Sequence, residues 1–327
     1  MKELAQLVNS SDSVLLFPHS KMDGDAAGSC GALCAALRNQ GKKAYIFCDE
    51  VVPANLQFLV KDFITDDPDV FDVPGLCMAV DCGELGRFAS RNETFLRGNR
   101  LACLDHHENG GQFEDAVCYV EPSSASTGEL MLQLLLEMGV EITPFMADAL
   151  YAAITTDTGD FRFSNSKKET HEAVAMLYDF GLDHAKVCNE IYDNERMEKL
   201  RMHSLAIADM EMIAGGKANI VCVTQNMLAE SGAEMWETEG LIDTMRTIAG
   251  VEISALLKED APDKIKVSLR AKSYGEVLTI ANAFDGGGHK KAAGGTIRKS
   301  IGEAKALVKD AIEQWFVAYD VQKQEEI

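Results

Sequence analysis

Positive charge is scarce in this chain: 31 Lys and Arg stand against 52 Asp and Glu, a formal net charge of -21. A long nucleic-acid track needs a basic face, so the shortage argues against one. It leaves room for a small phosphate ligand held by a local basic cluster or by metal ions. No stretch approaches the ~20 consecutive apolar residues of a membrane helix. The N-terminal "MKELAQLVNS" carries Glu3 and no long apolar region, so it does not read as a secretory signal. The nine cysteines include no CxxC pair. Most sit in apolar runs, where a free thiol behaves as a small hydrophobe. A reducing cytoplasm is the simplest setting.

What is present is ordinary globular material, 46% hydrophobic over 327 residues, enough for about two domains. The first half alternates. "SVLLF" (13–17) runs into a polar loop, and "AAGSCGALCAALRNQG" (26–41) reads as a helix closed by Gly41. "KAYIFCDE" (43–50), "GLCMAVDCG" (75–83) and "RLACLDHH" (100–107) read as strands, the last two ending in acids. Ser126 with Glu129 predicts one helix start, and Thr143-Pro144 another. This alternation predicts an α/β fold: an N-terminal domain with a largely parallel sheet flanked by helices. Residues 194–213 have helical spacing, and "AGGK" (214–217) breaks it. The expected division is a domain at residues 1–194, a helical linker at 195–217, and a smaller α/β domain at 218–327.

In the last part, "DKIKVSLRAK" (263–272) alternates as a strand, with Arg270 on its polar face. "FDGGGHKKAAGGTI" (284–297) is glycine-rich. Ser300 and Glu303 predict the cap of a final helix with one apolar stripe, Ala304, Leu307, Val308, Ala311, Ile312 and Trp315. That stripe is core.

Four places put acids or histidines beyond an apolar run: His19, Asp23 and Asp25; Asp81; Asp105, His106 and His107; and Asp157. Singly, each has a bland reading, since a lone Asp after a strand is usually a cap or turn former. Ligands of parallel sheets lie beyond the carboxyl ends of the strands, so the first three groups are expected to converge. Imidazole with carboxylate suits Mn²⁺, Zn²⁺ or non-haem iron rather than a thiolate site.

His19-x3-Asp23-x-Asp25, Asp81, Asp105-His106-His107 and Asp157 resemble the four motifs of the DHH phosphoesterase superfamily. "GGGHKKAAGG" (286–295), after "VSLR" (267–270), is similar to the glycine-rich DHH-associated C-terminal domain. The resemblance is best to the compact subgroup of oligoribonucleases (nanoRNases) and pAp phosphatases. It implies an active site in the cleft between the two domains and two Mn²⁺ ions, with Mg²⁺ or another divalent ion as substitute. His19 and Asp23 would hold one ion, and Asp25, His106 and Asp157 the other, with Asp81 bridging. Asp105 and His107 would be catalytic, as orienter and phosphate contact. Arg270, Gly286, Gly287, Gly288 and His289 would bind substrate.

The implied reaction is hydrolysis of short oligoribonucleotides such as pApA, and of pAp, by two-metal activation of a bridging water. A cyclic dinucleotide (cyclic di-AMP) phosphodiesterase is the alternative. A manganese-dependent pyrophosphatase and a non-enzymatic nucleotide sensor rank lower. A homodimer in the cytoplasm is implied as well. Two departures stand out: Lys21-Met22 replaces a frequent Asn-Pro, and Asp285 opens what is usually a run of four glycines. Arg162 reads equally as a substrate contact or an interface cover.

Overall fold

The computed structural model of the protein describes residues 1–325. The chain divides into two compact units, Met1–Asn194 and Glu195–Ile327. Six strands form the sheet of the first: β1 (Ser13–Pro18), β2 (Lys43–Phe47), β3 (Ile64–Thr65), β4 (Leu76–Val80), β5 (Leu101–Asp105) and β6 (Ala116–Val120). Every pairing is parallel and the order is β3-β2-β1-β4-β5-β6. The order reverses between β1 and β4, the place where open α/β sheets bind ligands.

The unbroken apolar runs follow from burial on both faces. Val14, Leu16, Met78, Val80, Ala102 and Leu104 face the helices Gly24–Asn39, Thr127–Glu137 and Pro144–Asp157. Leu15, Phe17, Cys77, Ala79 and Cys103 face a second cluster with Phe88 and Phe95. Phe17 meets Phe47, Phe88 and Phe95 at ring-centroid distances of 5.6, 5.7 and 5.2 Å. Arg91 is buried beside this cluster, donating to the Phe47 carbonyl at 2.8 Å and standing 3.2 Å from Asp49.

The second unit has its own mixed sheet, ordered β11-β12-β10-β9-β8-β7. Its strands are β7 (Glu211–Ile213), β8 (Ala218–Val223), β9 (Ile253–Ala261), β10 (Lys264–Ala271), β11 (Gly287–Gly288) and β12 (Ala292–Ile297). Helical spacing over 194–213 overreaches: the helix is Met197–Ala208, and Glu211–Ile213 pairs antiparallel with Ala218–Ile220. The left-handed Gly215 and Gly216 let the chain reverse there. Met202 and Ala206 of that helix are buried with Val221, Val223 and Leu228. The final helix begins with Ser300 and Glu303 hydrogen-bonded reciprocally, and buries Ala304, Val308 and Ile312. Among the described residues, no helix is long and apolar enough to cross a membrane.

Candidate metal centre

Register builds the site. Pro18 is level with Val80, and Val80 with Leu104, so the next residues, His19, Asp81 and Asp105, stand side by side at the carboxyl edge. Asp23 caps the helix Gly24–Asn39 by accepting from the Ala26 N–H at 3.1 Å, and Asp25 follows in its first turn. That helix packs tightly on Pro144–Asp157. A Cβ on Gly28 would lie 2.2 Å from the Ala149 carbonyl oxygen, so only glycine permits the approach that draws Asp25 toward Asp157. Asp81 adopts a left-handed backbone, φ 57°, a local cost of the kind that gathers at functional sites.

All six residues expected as metal ligands meet here. The Nε2 atom of His19 lies 3.4 Å from both Asp23 and Asp81. The Nε2 atom of His106 lies 3.7 Å from Asp25, 3.7 Å from Asp81 and 3.6 Å from Asp157. The other nitrogen of each ring faces a carbonyl: His19 Nδ1 is 2.8 Å from Ser20 O, and His106 Nδ1 is 3.4 Å from Ser124 O. Donation from Nδ1 would leave the Nε2 lone pair free for a cation set among the carboxylates, the arrangement of a metal-ligating imidazole.

The donor set fits divalent cations. Bonds of about 2.0–2.2 Å put adjacent donors roughly 3.0–3.6 Å apart, close to the separations here. Three constellations have ligand atoms within 4.8 Å of one another: His19–Asp23–Asp81, Asp25–His106–Asp157, and Asp81–His106–His107. Asp81 and His106 each belong to two of them.

Unneutralised, these groups perturb one another. Burial, then the charges of Asp81, Asp157 and Asp23, push the Asp25 carboxyl well above its usual range. Burial does the same to Asp157, with help from Asp81 and Asp23 and against the pull of His106, taking it up to about 6. Burial opposes charge on His19, but bonding to Asp23 and Asp81 outweighs it and raises the ring to about 10. Carboxylates pushed upward together mark a place that favours added positive charge.

Asp105 pairs with His107, whose Nδ1 also stands 3.7 Å from Asp81. Asp105 is fully buried, and its Oδ1 accepts from His107 Nδ1 at 2.7 Å and from the His107 N–H at 3.2 Å. The Asp105 hydrogen bond is the main cause that raises the His107 pKa. The His107 ring is 45% exposed against 13% for His106, so the two neighbours face different surroundings.

Sequence reasoning missed Thr127. Its hydroxyl donates to Asp81 Oδ1 at 2.8 Å, and the N–H groups of Thr127 and Gly128 donate to Asp25 at 2.7 and 2.8 Å. Ser126 with Glu129 signalled the helix start, and Ser126 Oγ does accept from the Glu129 N–H. Nothing in the spacing said that this N-terminus would hold Asp25. Asn165 was missed as well; its side chain donates to the Asp157 carbonyl at 3.1 Å and to the Ala125 carbonyl at 3.0 Å. Arg162 is exposed and donates from Nε to the Gly159 carbonyl at 2.7 Å.

The substrate-binding candidates of the second unit share one end of its sheet. Arg270 on β10 is level with Ala292 on β12, and the His289 N–H donates to the Ala292 carbonyl at 2.8 Å. Gly287 and Gly288 pair with Gly294 and Ala293. Gly286 packs so closely that a Cβ there would lie 2.4 Å from the Gly294 carbonyl oxygen. Asp285, in the place of the first glycine of the usual run, takes a left-handed φ of 55°.

A parallel sheet carrying this constellation, followed by a second unit with a glycine-rich turn, defines a phosphoesterase, an enzyme that hydrolyses phosphoester bonds. The chain belongs to the DHH family: the family's N-terminal domain matches residues 13–154, and a DHHA1 domain matches residues 217–318. It is 28% identical to the bifunctional oligoribonuclease and PAP phosphatase NrnA of Thermus thermophilus, over 96% of this chain and 94% of the relative. The protein of the same name from Bacillus subtilis is 26% identical, over 94% of this chain and 96% of the relative. The crystal structure of an exopolyphosphatase-related protein from Bacteroides fragilis has the same fold, with a TM-score of 0.88 at 23% identity. It covers 96% of this chain and 95% of that one.

Proposed function

We propose that this protein hydrolyses very short oligoribonucleotides such as pApA to mononucleotides and removes a phosphate from pAp, using Mn²⁺. The observation that carries the reading is that Asp81 faces both imidazoles, with one carboxylate oxygen 3.4 Å from His19 Nε2 and the other 3.7 Å from His106 Nε2. In this reading His19 and Asp23 hold one cation, Asp25, His106 and Asp157 the other, and Asp81 serves both. Two such cations would neutralise phosphate oxygens and would supply a water acidic enough to ionise near neutral pH. The full-length likeness to proteins named oligoribonuclease and PAP phosphatase supports the substrate class.

The protein's own groups do the rest. Thr127 and the N–H groups of Thr127 and Gly128 fix the rotamers of Asp81 and Asp25. Asp105 fixes His107 through Nδ1 and favours its charged form. His107 Nε2–H then donates to a phosphate oxygen as charge builds there. In the second unit, Arg270 is the bidentate phosphate ligand, and the backbone of Gly286–Gly288 with His289 receives a terminal phosphate. In this account residues 1–194 are the catalytic domain, 195–217 the linker and 218–327 the substrate-binding domain, and the working species is a cytoplasmic homodimer.

One panel tests the reading: pAp, pApA, a five-nucleotide RNA, cyclic di-AMP, pyrophosphate and long single-stranded DNA, each with Mn²⁺, Mg²⁺ or chelator. The expected result is fastest turnover of pApA and pAp with Mn²⁺, and none with chelator. Preference for cyclic di-AMP or pyrophosphate overturns the substrate assignment. Sedimentation of a monomer overturns the dimer.

A further inference from the structure

Away from the acid cluster, β5 and β6 set two cysteines side by side. Cys103 and Cys118 are direct register partners in the parallel pair. Neighbouring strands run about 4.8 Å apart, within the Cα separation of roughly 4.4–6.8 Å that a disulfide spans. Their access differs. Cys103 is fully buried, whereas Cys118 is the one exposed cysteine among the described residues.

The Cys103 thiol donates to the Cys82 carbonyl oxygen at 3.5 Å, and the Phe113 backbone N–H donates to the Cys118 sulfur. The neighbouring Cys103 sulfur, and with it the Phe113 N–H, hold Cys118 below the usual thiol range against partial burial, which favours its thiolate. The same contact, with burial, holds the Cys103 thiol protonated. Burial also keeps Cys30, Cys34, Cys77 and Cys82 as thiols. One sulfur of the pair is therefore a nucleophile with access to solvent, and its partner is a buried thiol level with it on the neighbouring strand.

We propose that Cys118 and Cys103 form a peroxide-reactive dithiol that closes into a disulfide between β5 and β6. The Cys118 thiolate attacks one oxygen of a hydroperoxide such as hydrogen peroxide. The S–O bond forms, the O–O bond breaks, and the departing oxygen takes a proton from solvent to leave as water. The Cys103 sulfur then attacks the Cys118 sulfur. The S–S bond forms, the S–O bond breaks, and hydroxide leaves with the Cys103 proton as a second water. Each sulfur gives up one electron, and the peroxide takes both. The bridge falls two residues before Asp105, and the Cys103 sulfur also lies 3.5 Å from the carbonyl oxygen of Cys82, next to Asp81. Closing it acts on the strands that carry the centre.

The test treats the purified full chain with hydrogen peroxide and follows intact mass, peptide linkage and hydrolysis of a generic phosphodiester. The wild type is expected to lose two hydrogens, to yield a Cys103–Cys118 linked peptide, and to slow several-fold until dithiothreitol restores it. Cys118→Ser is expected to form no link and to keep its rate. Cys103→Ser is expected to leave a Cys118 sulfenic acid that dimedone traps. A different linked pair, equal slowing of Cys118→Ser, or a linked wild type with unchanged rate overturns the proposal. If Cys103→Ser fails to fold, the Cys118→Ser arm decides alone.

Discussion

In the first unit, His19, Asp25, Asp81 and Asp105 are buried at the carboxyl edge of a parallel sheet, with Asp23, His106, His107 and Asp157 around them. In the second, His289, Lys290 and Lys291 lie exposed on a tight turn between β11 and β12. The buried acids are fixed from several elements at once, by Thr127, by the N–H groups of a helix and by the packing of Gly28. The exposed turn is fixed by fewer contacts, Lys291 Nζ on the Ser273 and Gly275 carbonyls at 2.6 and 2.8 Å and backbone pairing. The contrast fits the roles proposed for each. Ligands that hold small hard cations need donors set to a few tenths of an ångström. A phosphate contact tolerates a mobile, hydrated group.

Breaking the shared ligand should have the largest effect. Asp81→Asn removes one charge from both proposed cation sites. Turnover should fall by about a thousandfold or more, the equivalent of several kcal/mol of charge stabilisation. Elemental analysis should show metal lost with it, and an Asp81→Asn enzyme that keeps both its metal and its rate would remove Asp81 from the centre.

The next test separates neighbours within the first unit. His106→Ala should lose metal and activity together. His107→Ala should keep most metal and lose turnover by roughly 10²–10³. Equal metal loss in the two variants, by the same elemental analysis, contradicts the separation of their roles.

A smaller pair of changes compares the two units directly. Thr127→Val removes the hydroxyl on Asp81 and leaves the backbone donors, so kcat and metal affinity should drop by about 10–100-fold. Arg270→Ala should instead raise KM, by about tenfold or more for loss of a charged hydrogen bond, with metal content unchanged. Identical kinetic signatures would erase the distinction between a cation site and a phosphate-binding element.

The smallest expected effect is on stability. Burial, then Asp81 and Asp23, raise Asp157 to about 6 against the pull of His106. The metal-free native state therefore keeps a proton that the unfolded chain releases at lower pH. That contribution is complete below the unfolded pKa and is lost as pH rises through about 6. His19, raised to about 10 by Asp23 and Asp81 against burial, loses its contribution in the same direction at higher pH. The Tm of chelated protein should fall by a few degrees between about pH 5 and pH 7. Saturating Mn²⁺ should reverse the slope, because a cation binds the deprotonated ligands. A chelated Tm that climbs over this range would show that these groups are not strained as the geometry implies.

Much of this was legible before folding. Strands that end in an acid, such as "AVDC" and "LDHH", carry both their element type and their polar terminus in a short window. The capping residues Ser126, Thr143 and Ser300 also act within one turn of helix. Residues 211–213 were not legible as a strand, because their pairing with β8 depends on a turn and a partner that helical spacing ignores. Thr127, Asn165 and the Cys103–Cys118 contact were not legible either. Each joins positions from different elements, and no local period encodes that distance.

The sequence by itself determined which side chains end up beyond the sheet, since burial of both faces forces every polar residue to the strand ends. Only the tertiary structure decided how they are held. Parallel register made His19, Asp81 and Asp105 level, and a glycine-lined helix crossing brought Asp25 and Asp157 to one imidazole. The physical reason is reach. Hydrophobic patterning acts over a few residues, whereas the acid and histidine cluster gathers side chains from four segments spread along the chain.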